Sequence, residues 1–138
     1  MKLLILNGPN LNLVGKRQPE IYGNESFESY LPKLRELFPS TVFTYFQSNH
    51  EGELIDRLHN SDGEVDAVIM NPGGLAHTSV VLADAIRSIS VPVVEVHLSN
   101  IHAREAYRHG SYSAAACRGI ISGFGMDGYR LAVLHLQA

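Results

Sequence analysis

Glu95 and His97 stand two residues apart at the end of an apolar, β-branched run. On an extended strand alternate side chains share a face. This spacing therefore sets a carboxylate beside an imidazole, the pairing of a general acid or base with the group that orients it. A buried histidine hydrogen-bonded at a strand end fits the same spacing. Upstream, residues Leu11–Gly23 (LNLVGKRQPEIYG) carry Lys16, Arg17 and Tyr22 between Gly15, Pro19 and Gly23. A stretch of this length without clear periodicity is long for a strand-to-helix connection, and such loops are often lids. A solvated surface loop explains it equally well. Arg104 and Arg108 lie four apart, and on a helix they would share one face. Two forked guanidiniums suit a carboxylate or a phosphate, and a solvated helix face accounts for them too. His77 opens a helical pattern, at the positive dipole end that suits a neutral imidazole. It reads as a neutral donor to a ligand or as part of the cap.

Two other patterns lead away from cofactors. The spacings of His77, His97 and His102 match no common metal motif, and no carboxylate set accompanies them. Gly123–Gly128 (GFGMDG) fits the dinucleotide fingerprint G-x-G-x-x-G. Only ten residues follow it, which leaves no room for a second strand or for the acidic residue ~20 positions on. The glycines read instead as a tight turn into a terminal helix.

The elements that must position these side chains alternate in type. Strands are expected at Leu3–Leu6, Thr41–Gln47, Ala67–Met70, Val91–Val96 and Gly119–Ser122. The first and third are continuously apolar, as strands covered on both faces are. Helical patterns fall at Phe27–Phe38, Glu53–His59, Thr78–Ile89, Ile101–Cys117 and Tyr129–Leu136. Thr78 or Ser79 can cap the third, and Pro32 should kink the first or move its start. Alternation of this kind predicts an α/β fold. The expected form is a flavodoxin-like three-layer sandwich around a five-stranded parallel sheet of order 2-1-3-4-5. Ligands bind such sheets beyond the strand carboxyl ends, where the order reverses. Asn7-Gly8-Pro9-Asn10, Asn71-Pro72-Gly73-Gly74 and His97-Leu98-Ser99-Asn100 all stand at those ends.

Composition narrows the class. The 138 residues suit one domain over 1–138. A hydrophobic share of 45% excludes a disordered tail. The net charge of -3 argues against non-specific nucleic-acid or acidic-membrane binding. Cys117 is the only cysteine, so neither an internal disulfide nor a multi-thiolate metal site can form. The apolar start breaks at Asn7-Gly8-Pro9, short of a secretory or membrane-spanning segment, and a soluble, reducing compartment is expected. A charged fraction of 18%, against a typical ~25%, fits a subunit with surface buried in an assembly.

Several ordered motifs carry a family resemblance. They are LNGPNLNLVGKRQPEIYG from Leu6, GELIDRLH from Gly52, NPGGLAHTSVVLADAI from Asn71, VPVVEVHLSNIHAREAYRHGS from Val91, and GFGMDGYRLAV from Gly123. Over nearly the whole chain these make it similar to the type II 3-dehydroquinate dehydratases. The resemblance implies reversible dehydration of 3-dehydroquinate to 3-dehydroshikimate, by anti elimination through an enolate, without cofactor or metal. It places the reaction in shikimate biosynthesis or quinate catabolism. By motif, Tyr22 is the base, Arg17 holds it as phenolate, and His97 protonates the departing hydroxyl with Glu95 orienting it. Asn10 stabilises the enolate through a water, and Asn71 helps place substrate and Tyr22. His77, Arg108 and the backbone of Leu98-Ser99 hold the substrate, with Arg104 in support. Asp84 corresponds to a position that reaches into a neighbouring subunit's site, and the family implies a cytoplasmic dodecamer, a tetramer of trimers. Ala76 stands where the family usually has Thr, Ala83 where an Arg often precedes the Asp, and Pro32 falls in a helix that is usually uninterrupted.

Overall fold

The computed structural model describes residues 1–138. Five strands, β1 (Lys2–Asn7), β2 (Val42–Gln47), β3 (Ala67–Asn71), β4 (Val93–His97) and β5 (Gly119–Ser122), form one sheet. All pairings are parallel and the order is β2-β1-β3-β4-β5, the flavodoxin-like arrangement expected from the alternation. The helices are α1 (Pro19–Tyr22), α2 (Phe27–Leu37), α3 (Glu51–Ser61), α4 (Val80–Ser88) and α5 (Asp127–Gln137).

Strand periodicity sorts the core into two layers. On β1, Leu3 and Ile5 pack with Phe27, Leu34, Tyr129 and Val133 from α2 and α5. Their neighbours Leu4 and Leu6 turn the other way, onto Leu54, Leu58, Leu82 and Ile86 from α3 and α4. All four β1 residues are fully buried, which is why the run is apolar throughout rather than alternating. Each such side chain contributes roughly 1.5–3 kcal/mol of hydrophobic stabilisation.

Local signals place the helix ends. The Ser79 hydroxyl accepts from Leu82 N–H at 3.0 Å, so Ser79 rather than Thr78 caps α4. Ser26 caps α2 in the same way. That helix starts at Phe27 and runs on through Pro32. Pro32 is exposed, so the carbonyl that lost its helical partner faces the solvent side, and the start is not displaced.

One expectation fails outright. Ile101–Cys117 is not a helix but three separate 3-10 turns, Ile101–Ala103, Ala106–Arg108 and Ala114–Ala116. Side chains compete for the backbone here: Asn100 accepts from His102 N–H at 3.1 Å and Ser111 from Ala114 N–H at 3.0 Å. Arg104 is extended between two of the turns, so Arg104 and Arg108 do not share a helical face.

The sheet's carboxyl edge is drawn together by glycine. Gly8 N–H donates to Asn71 O at 2.7 Å, and a Cβ on Gly8 would lie 2.6 Å from Pro72 O. No larger residue permits the β1 and β3 ends to meet this closely. Gly123 and Gly125 adopt φ of +99° and +59° between β5 and α5. They are the tight turn foreseen for GFGMDG, not a nucleotide loop.

Candidate active site

A cleft of about 670 Å³, open to solvent, lies over the carboxyl ends of β1, β3 and β4. Asn10, Arg17, Tyr22, Asn71, His77, His97, Leu98, Ser99, Arg104 and Arg108 all line it. The parallel sheet gathers these residues from segments far apart in the chain, because every strand ends on the same edge.

Leu11–Gly23 is not a solvated loop. Leu11 and Val14 are buried in the α2/α5 core layer, and Lys16 and Arg17 N–H both donate to Leu13 O. Gln18, at φ +42°, turns the chain into the single helical turn of α1, whose last residue is Tyr22. The segment is thus an anchored flap with its phenol over the cleft.

Tyr22 Oη accepts from Arg17 Nη2 at 3.1 Å and from Arg104 Nη1 at 3.0 Å. Both guanidiniums also lie over its ring, at 5.0 and 5.2 Å from the centroid. Arg104 Nη1 reaches Ser99 Oγ as well, at 3.2 Å, tying the flap to the turn after β4. Two cationic donors thus converge on one phenol oxygen. Arg108 points into the same cleft. Burial works against its charge, but the hydrogen bond from its Nε to Glu105 at 2.8 Å, with that carboxylate's charge and the nearby phenols, more than offsets this.

At the end of β4, His97 and Glu95 point the same way, as the two-residue spacing foresaw. His97 Nε2 lies 2.8 Å from Glu95 Oε2, and Glu95 is fully buried. A carboxylate only accepts, so Nε2 carries the hydrogen and Nδ1 is left for a ligand. Glu95 also accepts from Ser111 Oγ at 2.8 Å and from Ser113 Oγ. It stands behind His97 and does not line the cleft.

His77 belongs to the 3-10 turn Gly73–His77 and takes no part in the α4 cap. Its Nδ1 lies 2.7 Å from Gly110 O. A carbonyl only accepts, so Nδ1 is the donor and a neutral His77 offers Nε2 to a ligand as an acceptor. The neutral donor expected from its position is corrected accordingly. Its ring stacks 5.9 Å from that of His97, so the two histidines form one wall.

Asn71 turns its amide inward. Its Oδ1 accepts from Gly73 N–H at 3.1 Å and its Nδ2 donates to Tyr129 Oη at 3.3 Å. Tyr129, fully buried, donates in turn to Asn7 Oδ1 at 2.7 Å. Asn10, at φ +70°, is fixed by its N–H to Asn49 Oδ1 at 2.9 Å. Asp84 is not brought to this chain's cleft: it is exposed on α4, 3.7 Å from Arg87. Ser111, Ser113 and Tyr129 are the supporting residues that sequence reasoning missed. Their partners lie 16, 18 and 58 positions away, and no spacing rule connects them. No lysine lines the cleft.

Known proteins are similar to this chain over nearly its whole length. The family model described as Dehydroquinase class II matches residues 1–137. A 3-dehydroquinate dehydratase of Bacillus licheniformis is 50% identical over 137 residues, covering 98% of this chain and 94% of that protein. A catabolic 3-dehydroquinase of Penicillium rubens is 47% identical, covering 97% and 88%. The crystal structure of a type II dehydroquinase from Butyrivibrio crossotus superposes with a TM-score of 0.96 at 39% identity, covering 100% and 98%.

Proposed function

The chain belongs to the class II dehydroquinases, and from that membership we propose how its own residues perform the reaction. It is a hydro-lyase that dehydrates 3-dehydroquinate to 3-dehydroshikimate. The observation that carries the residue assignment is the pair of arginine donors on Tyr22 Oη in the cleft that also holds the Glu95-backed His97.

Tyr22, as phenolate, takes a proton from the carbon beside the substrate carbonyl, and the electron pair of that C–H bond moves onto the carbonyl oxygen. Asn10, through an ordered water, stabilises the resulting enolate. The enolate then re-forms its carbonyl and pushes out the hydroxyl from the opposite face. His97, acting as the imidazolium with a hydrogen on each ring nitrogen, delivers the Nδ1 proton to that oxygen, so it departs as water and leaves the neutral Nε2–H ring; Glu95 steadies the ring's charge before transfer. Removing the proton first separates one hard elimination into two easier steps, each met by a placed group. His77 Nε2 accepts from a substrate hydroxyl, Arg108 meets the carboxylate as a fork, and the Leu98-Ser99 turn completes that end. Gly125 N–H bonds Leu98 O at 2.9 Å and Ser122 Oγ bonds Ser99 O at 3.0 Å, which hold that turn in place. Asn71 shapes the wall beneath Tyr22.

Residues 1–138 act as one catalytic domain, with side chains alone supplying the chemistry. The working form is a dodecamer built as a tetramer of trimers, with Asp84 serving a neighbour's site. Support for this comes from α4, where Val80 and Val81 leave more than half of their surface exposed beside Asp84. The enzyme works in the cytoplasm, where its single thiol is at home. Purified protein given 3-dehydroquinate should generate a conjugated, ultraviolet-absorbing enone, and Tyr22→Phe should abolish it. A folded wild type that produces none would overturn the assignment. A sedimentation mass of one chain would overturn the assembly.

A further inference from the structure

Glu95 is a fully buried carboxylate met by three donors. A buried charge is tolerable only when it is hydrogen-bonded, and two of these donors are hydroxyls with no place in the chemistry described above. Ser111 Oγ already accepts from Ala114 N–H at 3.0 Å, so its own hydrogen is free to go to Glu95 Oε2 at 2.8 Å. Ser113, fully buried, directs its hydroxyl at Oε1. Oε2 therefore receives Ser111 and His97 together, and Oε1 receives Ser113. Neither oxygen is left to rotate away from the imidazole.

We propose that Ser111 and Ser113 are positioning residues for the proton donor. Their hydroxyls lock the Glu95 carboxylate so that His97 keeps its hydrogen on Nε2 and presents Nδ1 to substrate. The ring nitrogen left for chemistry is set by the bond that the other nitrogen makes, and that bond is only as fixed as its acceptor. Both serines sit on a short strap between the turns Ala106–Arg108 and Ala114–Ala116. The strap is pinned at Tyr112 N–H to Ala76 O, 2.8 Å. Its Gly110 carbonyl fixes the His77 tautomer, so one strap governs both histidines of the cleft. The inference rests on the reading of His97 as proton donor.

The test pairs kinetics with nitrogen-15 spectroscopy of the histidine rings in the ligand-free protein, using Ser111→Ala, Ser113→Ala and Ser111→Thr. Ser111 is only half-buried, so its variants keep the test open if Ser113→Ala fails to fold. The expected wild-type signal of the neutral His97 ring is a single Nε2–H tautomer, to which the proton used in the reaction is added at Nδ1. Each alanine variant should lower kcat about 10- to 100-fold with KM within about twofold, as loss of a hydrogen bond to a charged group would. Each should also give His97 a mixed tautomer signal. Ser111→Thr, which keeps the hydroxyl, should restore both. A fall in kcat with the His97 signal unchanged would mean a merely structural role and overturn the proposal, as would alanine variants with wild-type kcat and signal. A changed tautomer with unchanged kcat would leave the positioning intact and refute His97 as proton donor instead.

Discussion

Removing Arg104 tests the chemistry most directly, because only the folded chain places it on Tyr22. Arg17 Nη2 and Arg104 Nη1 lie 3.1 and 3.0 Å from the phenol oxygen, distances at which a charged hydrogen bond contributes about 1.5–3 kcal/mol. The two arginines therefore hold that oxygen with comparable strength. Arg104→Gln should then cost about 10- to 150-fold in kcat, Arg17→Gln a similar factor, and the double variant more than either single one. The assay is the rate of enone appearance at saturating 3-dehydroquinate, with circular dichroism as the check on folding. If folded Arg104→Gln keeps kcat within about twofold of wild type, or if the double variant is no slower than Arg17→Gln, the two-guanidinium reasoning is wrong.

Further outcomes can be checked without new chemistry. Gly8→Ala should destabilise the protein by about 1–3 kcal/mol, as overpacking does, because its Cβ would meet Pro72 O at 2.6 Å; an unchanged midpoint in urea would contradict this. Burial pushes the Tyr30 and Tyr45 phenols up to about 12, while in the unfolded chain they titrate near ~10. Their contribution is therefore complete below pH ~10 and is lost as pH rises toward 12, so phenol ionisation at those sites should coincide with loss of circular dichroism. Simple titration of every tyrosine near pH 10 with the fold intact would refute it. Chelators should leave turnover intact, and borohydride with substrate should not inactivate the enzyme, because no lysine lines the cleft; a lysine adduct seen by mass spectrometry would reverse that reading.

The β-strands were readable because each is a short apolar run whose type does not depend on partners: β1 and β3 lie within a residue of their expected limits. The sheet order followed from alternation, and the position of the cleft followed from the order. Glu95 and His97 could be paired from spacing alone, since strand periodicity is local. The segment 101–117 departs from the helix its pattern predicts, because helix period and a run of polar residues that bond their own backbone look alike until packing decides between them. Asn100 and Ser111 take the N–H groups of His102 and Ala114, which a helix would have used.

The sequence by itself determined which chemical groups stand at which strand ends, because that depends only on where apolar runs stop. It could not say that Arg104 reaches Tyr22, 82 positions away, or that two serines brace a buried carboxylate. Nor could it say that Asn71 spends its amide on Tyr129. Those contacts exist only when the parallel sheet sets β1, β3 and β4 side by side and Gly8 lets two of their ends touch. Directional bonds between remote side chains are decided by where folding puts the backbone, and no local period records that.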